Sequence, residues 1–117
     1  MSYQPARRDL DIRRGTTLGP YIFRCLDADG NPVDLTGWTV EGKAAASPGA
    51  AAAFDLAPSV TDADDGEVTL TRTDEQTAVL TVGRYGWDLV FTDPAGTRMP
   101  PHVVGVCTVT DIYTPHP

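Results

Sequence analysis

Chemistry starts from side chains that ionise, ligate or attack, and in this chain of 117 residues they are few and scattered. Two acidic turns, Asp27-Ala28-Asp29-Gly30-Asn31 and Asp62-Ala63-Asp64-Asp65-Gly66-Glu67, invite a calcium reading, because a hard cation takes several oxygens converging from one tight loop. Neither fits the EF-hand frame. The glycine comes too early in both, and the closing position counted from Asp27 holds Trp38 in place of a bidentate glutamate. Asp-rich hairpin turns are the plainer reading, and no metal site is assigned. His102 and His116 are the only histidines, and a triad needs an oriented imidazole with a nucleophile and a carboxylate in reach, for which His102 beside Pro101 offers no spacing. Cys25 and Cys107 stand in no metal-like or C-x-x-C spacing. They read as buried free thiols, with an immunoglobulin-type bridge as the alternative. Gly15, Gly30 and Gly66 are separate turn residues rather than one phosphate loop. The expectation is a protein that is not an enzyme, with no catalytic residues and no cofactor.

Binding is the chemistry that is left. Of nine basic residues only Lys43 is a lysine, and Arg7, Arg8, Arg13 and Arg14 crowd the start of the chain. They form a local basic arm on a body of net charge −7, suited to docking on an acidic neighbouring subunit. Tyr113 near the other end is the second candidate contact. The acidic balance argues against nucleic acid and anionic lipid as partners. Trp38 and Trp87 can stack on a sugar if exposed, or fill the space between two sheets if buried. Asp88 reads as a structural carboxylate, with a functional role as the alternative. No apolar run reaches membrane-spanning length and Met1-Ser2-Tyr3-Gln4-Pro5 has no leader-like apolar core, so the expected location before any assembly is a cytoplasm.

These residues have to be positioned by short strands. The central stretch Arg84-Tyr85-Gly86-Trp87-Asp88-Leu89-Val90-Phe91 alternates, with Tyr85, Trp87, Leu89 and Phe91 on one face. Tyr21, Phe23 and Cys25 share a face in an earlier segment whose start Pro20 marks as an edge or bulge, and Val68 and Leu70 point inward from Glu67-Val68-Thr69-Leu70-Thr71-Arg72. Trp38 to Ala44 reads as a strand, Ala45 to Ala53 as a long loop broken by Pro48-Gly49, and His102 to Ile112 as a long last strand. Asp27-to-Pro32 and Asp93-to-Gly96 are tight corners. Thr73 followed by Gln76 is a capping box opening one or two helical turns near 74–80, with Ala78 and Leu80 as their apolar side. The spacing predicts an all-β chain, a single Ig-like β-sandwich of roughly seven to nine short antiparallel strands. It divides into a basic N-terminal arm (1–9), the sandwich (10–112) and a C-terminal tail (113–117). Residues 1–14 are expected to be removable with the fold intact.

The order of the motifs carries a resemblance. Arg14-Gly15-Thr16-Thr17, then Asp27-Ala28-Asp29-Gly30-Asn31-Pro32-Val33-Asp34-Leu35-Thr36-Gly37, then Gly66-Glu67-Val68-Thr69-Leu70, and finally Gly83-Arg84-Tyr85-Gly86-Trp87-Asp88-Leu89 resemble the small β-sandwich virion proteins of tailed bacteriophages, similar to the N-terminal domain of upper baseplate proteins. The chain departs from that pattern at Thr16, where an Asp is usual, and around Ser47-Pro48-Gly49. The resemblance implies a non-enzymatic structural protein of the virion, in the tail, baseplate, neck or capsid surface. Its partners would be other virion structural proteins and further copies of itself in a symmetric assembly, with no nucleic acid and no membrane. A carbohydrate- or host-surface-binding sandwich module is the alternative.

Overall fold

The structure is a computed structural model, and it describes residues 6–114. Nine strands and one short helix follow in order: β1 (Ala6–Arg7), β2 (Leu10–Arg13), β3 (Leu18–Arg24), β4 (Thr39–Ala45), β5 (Ala52–Asp55), β6 (Ser59–Asp62), β7 (Glu67–Arg72), α1 (Asp74–Ala78), β8 (Gly83–Thr92) and β9 (Val103–Thr110). They form two sheets, one with β9, β8, β4 and β5 side by side and both β1 and β2 on the outer edge of β9, the other with the order β3-β7-β6. The sheets pack face to face as an all-β sandwich. β8 lies between β9 and β4 and its inward face carries Trp87, Leu89 and Phe91, all buried, as its alternation predicts. Opposite them are Val68 and Leu70 of β7, and Leu10, Ile12, Val103, Cys107 and Val109 complete the core along β2 and β9. Each such side chain contributes on the order of 2 kcal/mol by leaving water.

The first two strands depart from the antiparallel arrangement. β1 and β2 run parallel to β9, and both keep one register, Ala6 beside Val103 and Leu10 beside Cys107. They are a single strand interrupted at Arg8-Asp9. Because Leu10 and Ile12 are buried at 2% and 1% exposure, residues 1–14 are not a removable arm: their loss would open the core beside β9.

The corners follow their chemistry. Asp27 accepts from the amides of Asp29 and Asn31 through its carboxylate, while Gly30, at φ +83°, donates to the Asp27 carbonyl. Asp93 repeats the device on Ala95, Thr97 and Gly96. At α1 the capping box forms as read, with the Gln76 amide on the Thr73 hydroxyl and the Gln76 side chain accepting from the Thr73 amide. The helix buries Thr77 rather than Ala78. The long loop after Ala45 is shorter than expected, since Ala52 already pairs with Ala45 and Phe54 with Ala44 in a hairpin. Pro20 does sit on an edge strand, at a register shift between Leu18 and Tyr21.

Candidate partner-binding surfaces

β1 and β2 present Arg7, Asp9, Asp11 and Arg13 outward in alternation while Leu10 and Ile12 point in. The two arginines are answered on their own strand, Arg7 by Asp9 at 3.2 Å and Arg13 by Asp11 at 3.5 Å. What reads as a basic arm is therefore a striped edge with both signs of charge. Exposed pairs of this kind contribute little to stability, so both guanidinium groups can be re-partnered at small cost.

Arg8 and Arg14 do different work. In a parallel ladder the Arg8 carbonyl would take the Val106 amide, since the Arg8 amide donates to the Val104 carbonyl. Instead Val106 donates to the Asp9 carboxylate, and the freed Arg8 carbonyl turns to accept the Trp87 indole N–H at 2.8 Å. Trp87 stands beside Gly105 on β9, and a Cβ at Gly105 would meet the Arg8 carbonyl and come within 2.9 Å of the Trp87 Nε1. The Arg8 guanidinium lies 5.0 Å from the centre of the Tyr21 ring on β3 and so ties the edge of one sheet to the other. Arg14 binds the Asp111 carboxylate at 3.3 Å and the Ala78 carbonyl at 3.1 Å, joining the end of β9 to α1. Beside it, the Thr77 hydroxyl donates to the Thr16 carbonyl at 2.7 Å and accepts the Gly15 amide at 3.1 Å. Thr77, Gly105 and the Trp87 clamp have no signal in the sequence, because each depends on a partner at least sixty residues away or on another strand. Tyr113 is 106% exposed.

Among the described residues, concavities open at several places on the surface. A shallow groove of about 660 Å³ crosses the outer face of β4, β8 and β9 and is floored by Ala45, Gly86 and Gly105, with Lys43, Asp88 and Arg98 at its sides. An apolar cavity of about 300 Å³ lies among Cys25, Trp38, Phe91, Met99 and His102. Burial there holds the imidazole of His102 below its ordinary pKa, and the ring stands edge-on to Phe91 at 5.7 Å. A third, of about 260 Å³, opens between α1 and the end of β5. Trp87 is 4% exposed and so is not an open sugar platform, while Trp38 is half-buried, packed against the core at the mouth of the apolar cavity. Cys25 and Cys107 are both buried free thiols, not a bridge, and Cys107 is pushed up to about 12 by burial and by the neighbouring Asp11 charge. The Asp27 carboxylate is occupied by backbone amides. Among the described residues no three His, Cys, Asp or Glu side chains group to hold a metal ion, and no helix is long and apolar enough to cross a membrane. His116 lies outside the described residues.

No protein-family model matches the chain, and no curated protein does. Among solved structures it is similar in fold to the N-terminal domain of phage TP901-1 ORF48, with a TM-score of 0.54 and 14% sequence identity over 91% of this chain and 89% of that one. The resemblance to phage β-sandwich proteins drawn from the motif order thus reappears in three dimensions.

Proposed function

We propose that this chain is a non-enzymatic structural protein of a tailed-phage virion, a tail, baseplate, neck or capsid-surface component that joins neighbouring subunits. The observation that carries the reading is the agreement in fold with a phage domain over 91% of this chain and 89% of the other. It is supported by where the motifs that carry the resemblance fall, since the Asp27-to-Pro32 corner and the Tyr85-to-Asp88 segment of β8 belong to one sandwich in this chain. The strand order, with β3-β7-β6 facing β9-β8-β4-β5, supports the Ig-like type of sandwich. So does the Tyr85 hydroxyl, which donates to the Thr81 carbonyl at the corner before β8.

In this reading the partners are other virion structural proteins and further copies of the chain, met first in the host cytoplasm. Arg7 and Arg13 supply re-partnerable charge on the outer edge, and Tyr113 an unshielded aromatic. Arg8 and Arg14 act at second hand, by holding the strands that display them. The test is to express a tagged copy during infection, purify the particles on a density gradient and quantify the chain by mass spectrometry. A fixed stoichiometry per particle is expected; its absence from particles that are otherwise complete would remove the reading.

A further inference from the structure

Five large hydrophobic residues stand exposed among the described residues, and three of them, Val79, Val82 and Tyr113, belong to one end of the sandwich. Their placement follows from contacts already described. Arg14 holds the Ala78 carbonyl and the Asp111 carboxylate at once, so the residue after Ala78 and the segment after Asp111 share a neighbourhood. Gly83 pairs with Val109, which brings Val82 to the same end of β9. Val79 is 81% exposed and Val82 50%, so two apolar side chains stand in solvent at the end that also carries Tyr113. At this end too lies the cavity of about 260 Å³, walled by Ile12, Phe54, Leu56, Val79 and Leu80, with Arg72 and Gln76 among its polar lining.

We propose that this end is a self-association surface, in which Tyr113 of one copy enters the α1-end cavity of a second copy and receives that copy's Tyr113 in return. The cavity selects its occupant by chemistry. Its apolar wall suits an aromatic ring, while the guanidinium of Arg72 and the amide of Gln76 are able to bond a phenolic hydroxyl, and a tyrosine offers both ends. Plug and socket sit on the same end of one chain, so a two-fold axis satisfies both contacts together and the pairing closes on itself. Val79, which walls the cavity, and Val82 are then covered in the same step. The proposal deepens the subunit-joining part of the function proposed above, but it concerns copies of this chain alone.

Sedimentation of the full chain across a wide concentration range tests it. The wild type is expected to associate as a reversible dimer. Tyr113→Ala and Val79→Glu, each with a circular dichroism melt to show that the fold persists, are each expected to weaken dimerisation by about tenfold or more. The two variants mixed are expected to associate more tightly than Tyr113→Ala alone, because the Val79→Glu chain still carries the tyrosine and the Tyr113→Ala chain still carries an intact cavity. A wild type that stays monomeric throughout, an unaltered dimer in Tyr113→Ala, or a mixture no tighter than that single variant would each overturn the proposal. Particle composition is read separately: a monomer in solution that is still incorporated at fixed stoichiometry sinks this inference and leaves the virion reading standing, and a dimer absent from particles does the reverse.

Discussion

At Gly105 the missing side chain is what lets the Trp87 indole reach across β9 to the Arg8 carbonyl. Gly86, directly beside Val106 on the neighbouring strand, has no such duty, since a Cβ there would meet only carbonyls 4.0 Å away. Gly105→Ala is therefore expected to cost about 2–3 kcal/mol by forcing strand and ring apart, and Gly86→Ala less than about 0.5 kcal/mol. Paired urea titrations would show the contrast. Thr77 is a comparable case, because Thr77→Val keeps the volume but strands the Gly15 amide and the Thr16 carbonyl, for about 1–3 kcal/mol. The buried titratable groups give stability a dependence on pH at both limits. Burial lowers the folded pKa of His102, so its contribution is complete above the ordinary histidine range, about 6.5, and is lost as pH falls toward the folded value. Cys107 acts in the opposite direction. Raised from 9.0 to about 12, it leaves stability untouched below pH 9.0 and erodes it as pH climbs toward 12. At pH 8 the native protein should resist thiol reagents, and denaturant should release both cysteines; labelling of Cys107 in the folded state would contradict that burial.

Among the elements, the two Asp-Gly corners are one device used twice, Asp27 to Asn31 and Asp93 to Thr97, each a carboxylate on two amides with a left-handed glycine. Asp27→Ala and Asp93→Ala are expected to cost similar amounts, about 1 kcal/mol each, and to add in the double variant because the corners share no hydrogen bond. These corners were legible in the sequence because their chemistry is local, as were the capping box at Thr73 and the alternation of β8. The start of the chain was not. Four arginines within eight positions suggest a mobile basic arm, yet Leu10 and Ile12 alternate with Asp9, Asp11 and Arg13 as an edge strand must, and the partner of that strand lies 97 positions downstream. A parallel pairing of chain ends leaves no turn to announce it. Truncation separates the two readings. Removing residues 1–9 takes β1 and the Trp87 acceptor but leaves Leu10 and Ile12, so a folded protein weakened by about 1–3 kcal/mol is expected, with red-shifted tryptophan emission. Removing residues 1–14 takes both buried side chains, at roughly 2–5 kcal/mol each, and should abolish cooperative unfolding.

At the scale of the molecule, the described residues form an elongated body, 46 × 28 × 23 Å, with charge of both signs along one edge and apolar residues at one end. The candidate contacts were only partly legible for that reason. Tyr113 is singled out by its type, but the cavity proposed to receive it is assembled from β2, β5, β7, α1 and the turn after α1, and no single stretch of sequence holds it. The two surfaces differ in physics, and salt separates them. The contacts proposed for Arg7 and Arg13 on an acidic neighbour would be exposed ion pairs. Raising ionic strength from roughly 0.1 M to 1 M shortens the screening length from about 10 Å to about 3 Å and should strip them away. Burial of Tyr113, Val79 and Val82 gains from the same change, first because the like charges of two bodies at −7 repel less and then because excluded salts such as sulfate favour apolar burial. Self-association measured by sedimentation is thus expected to hold or tighten as salt rises, while release of the chain from purified particles accelerates and Arg7→Ala or Arg13→Ala mimics the effect of salt. Self-association that dissolves in high salt would instead assign the pairing of copies to the striped edge of β1 and β2.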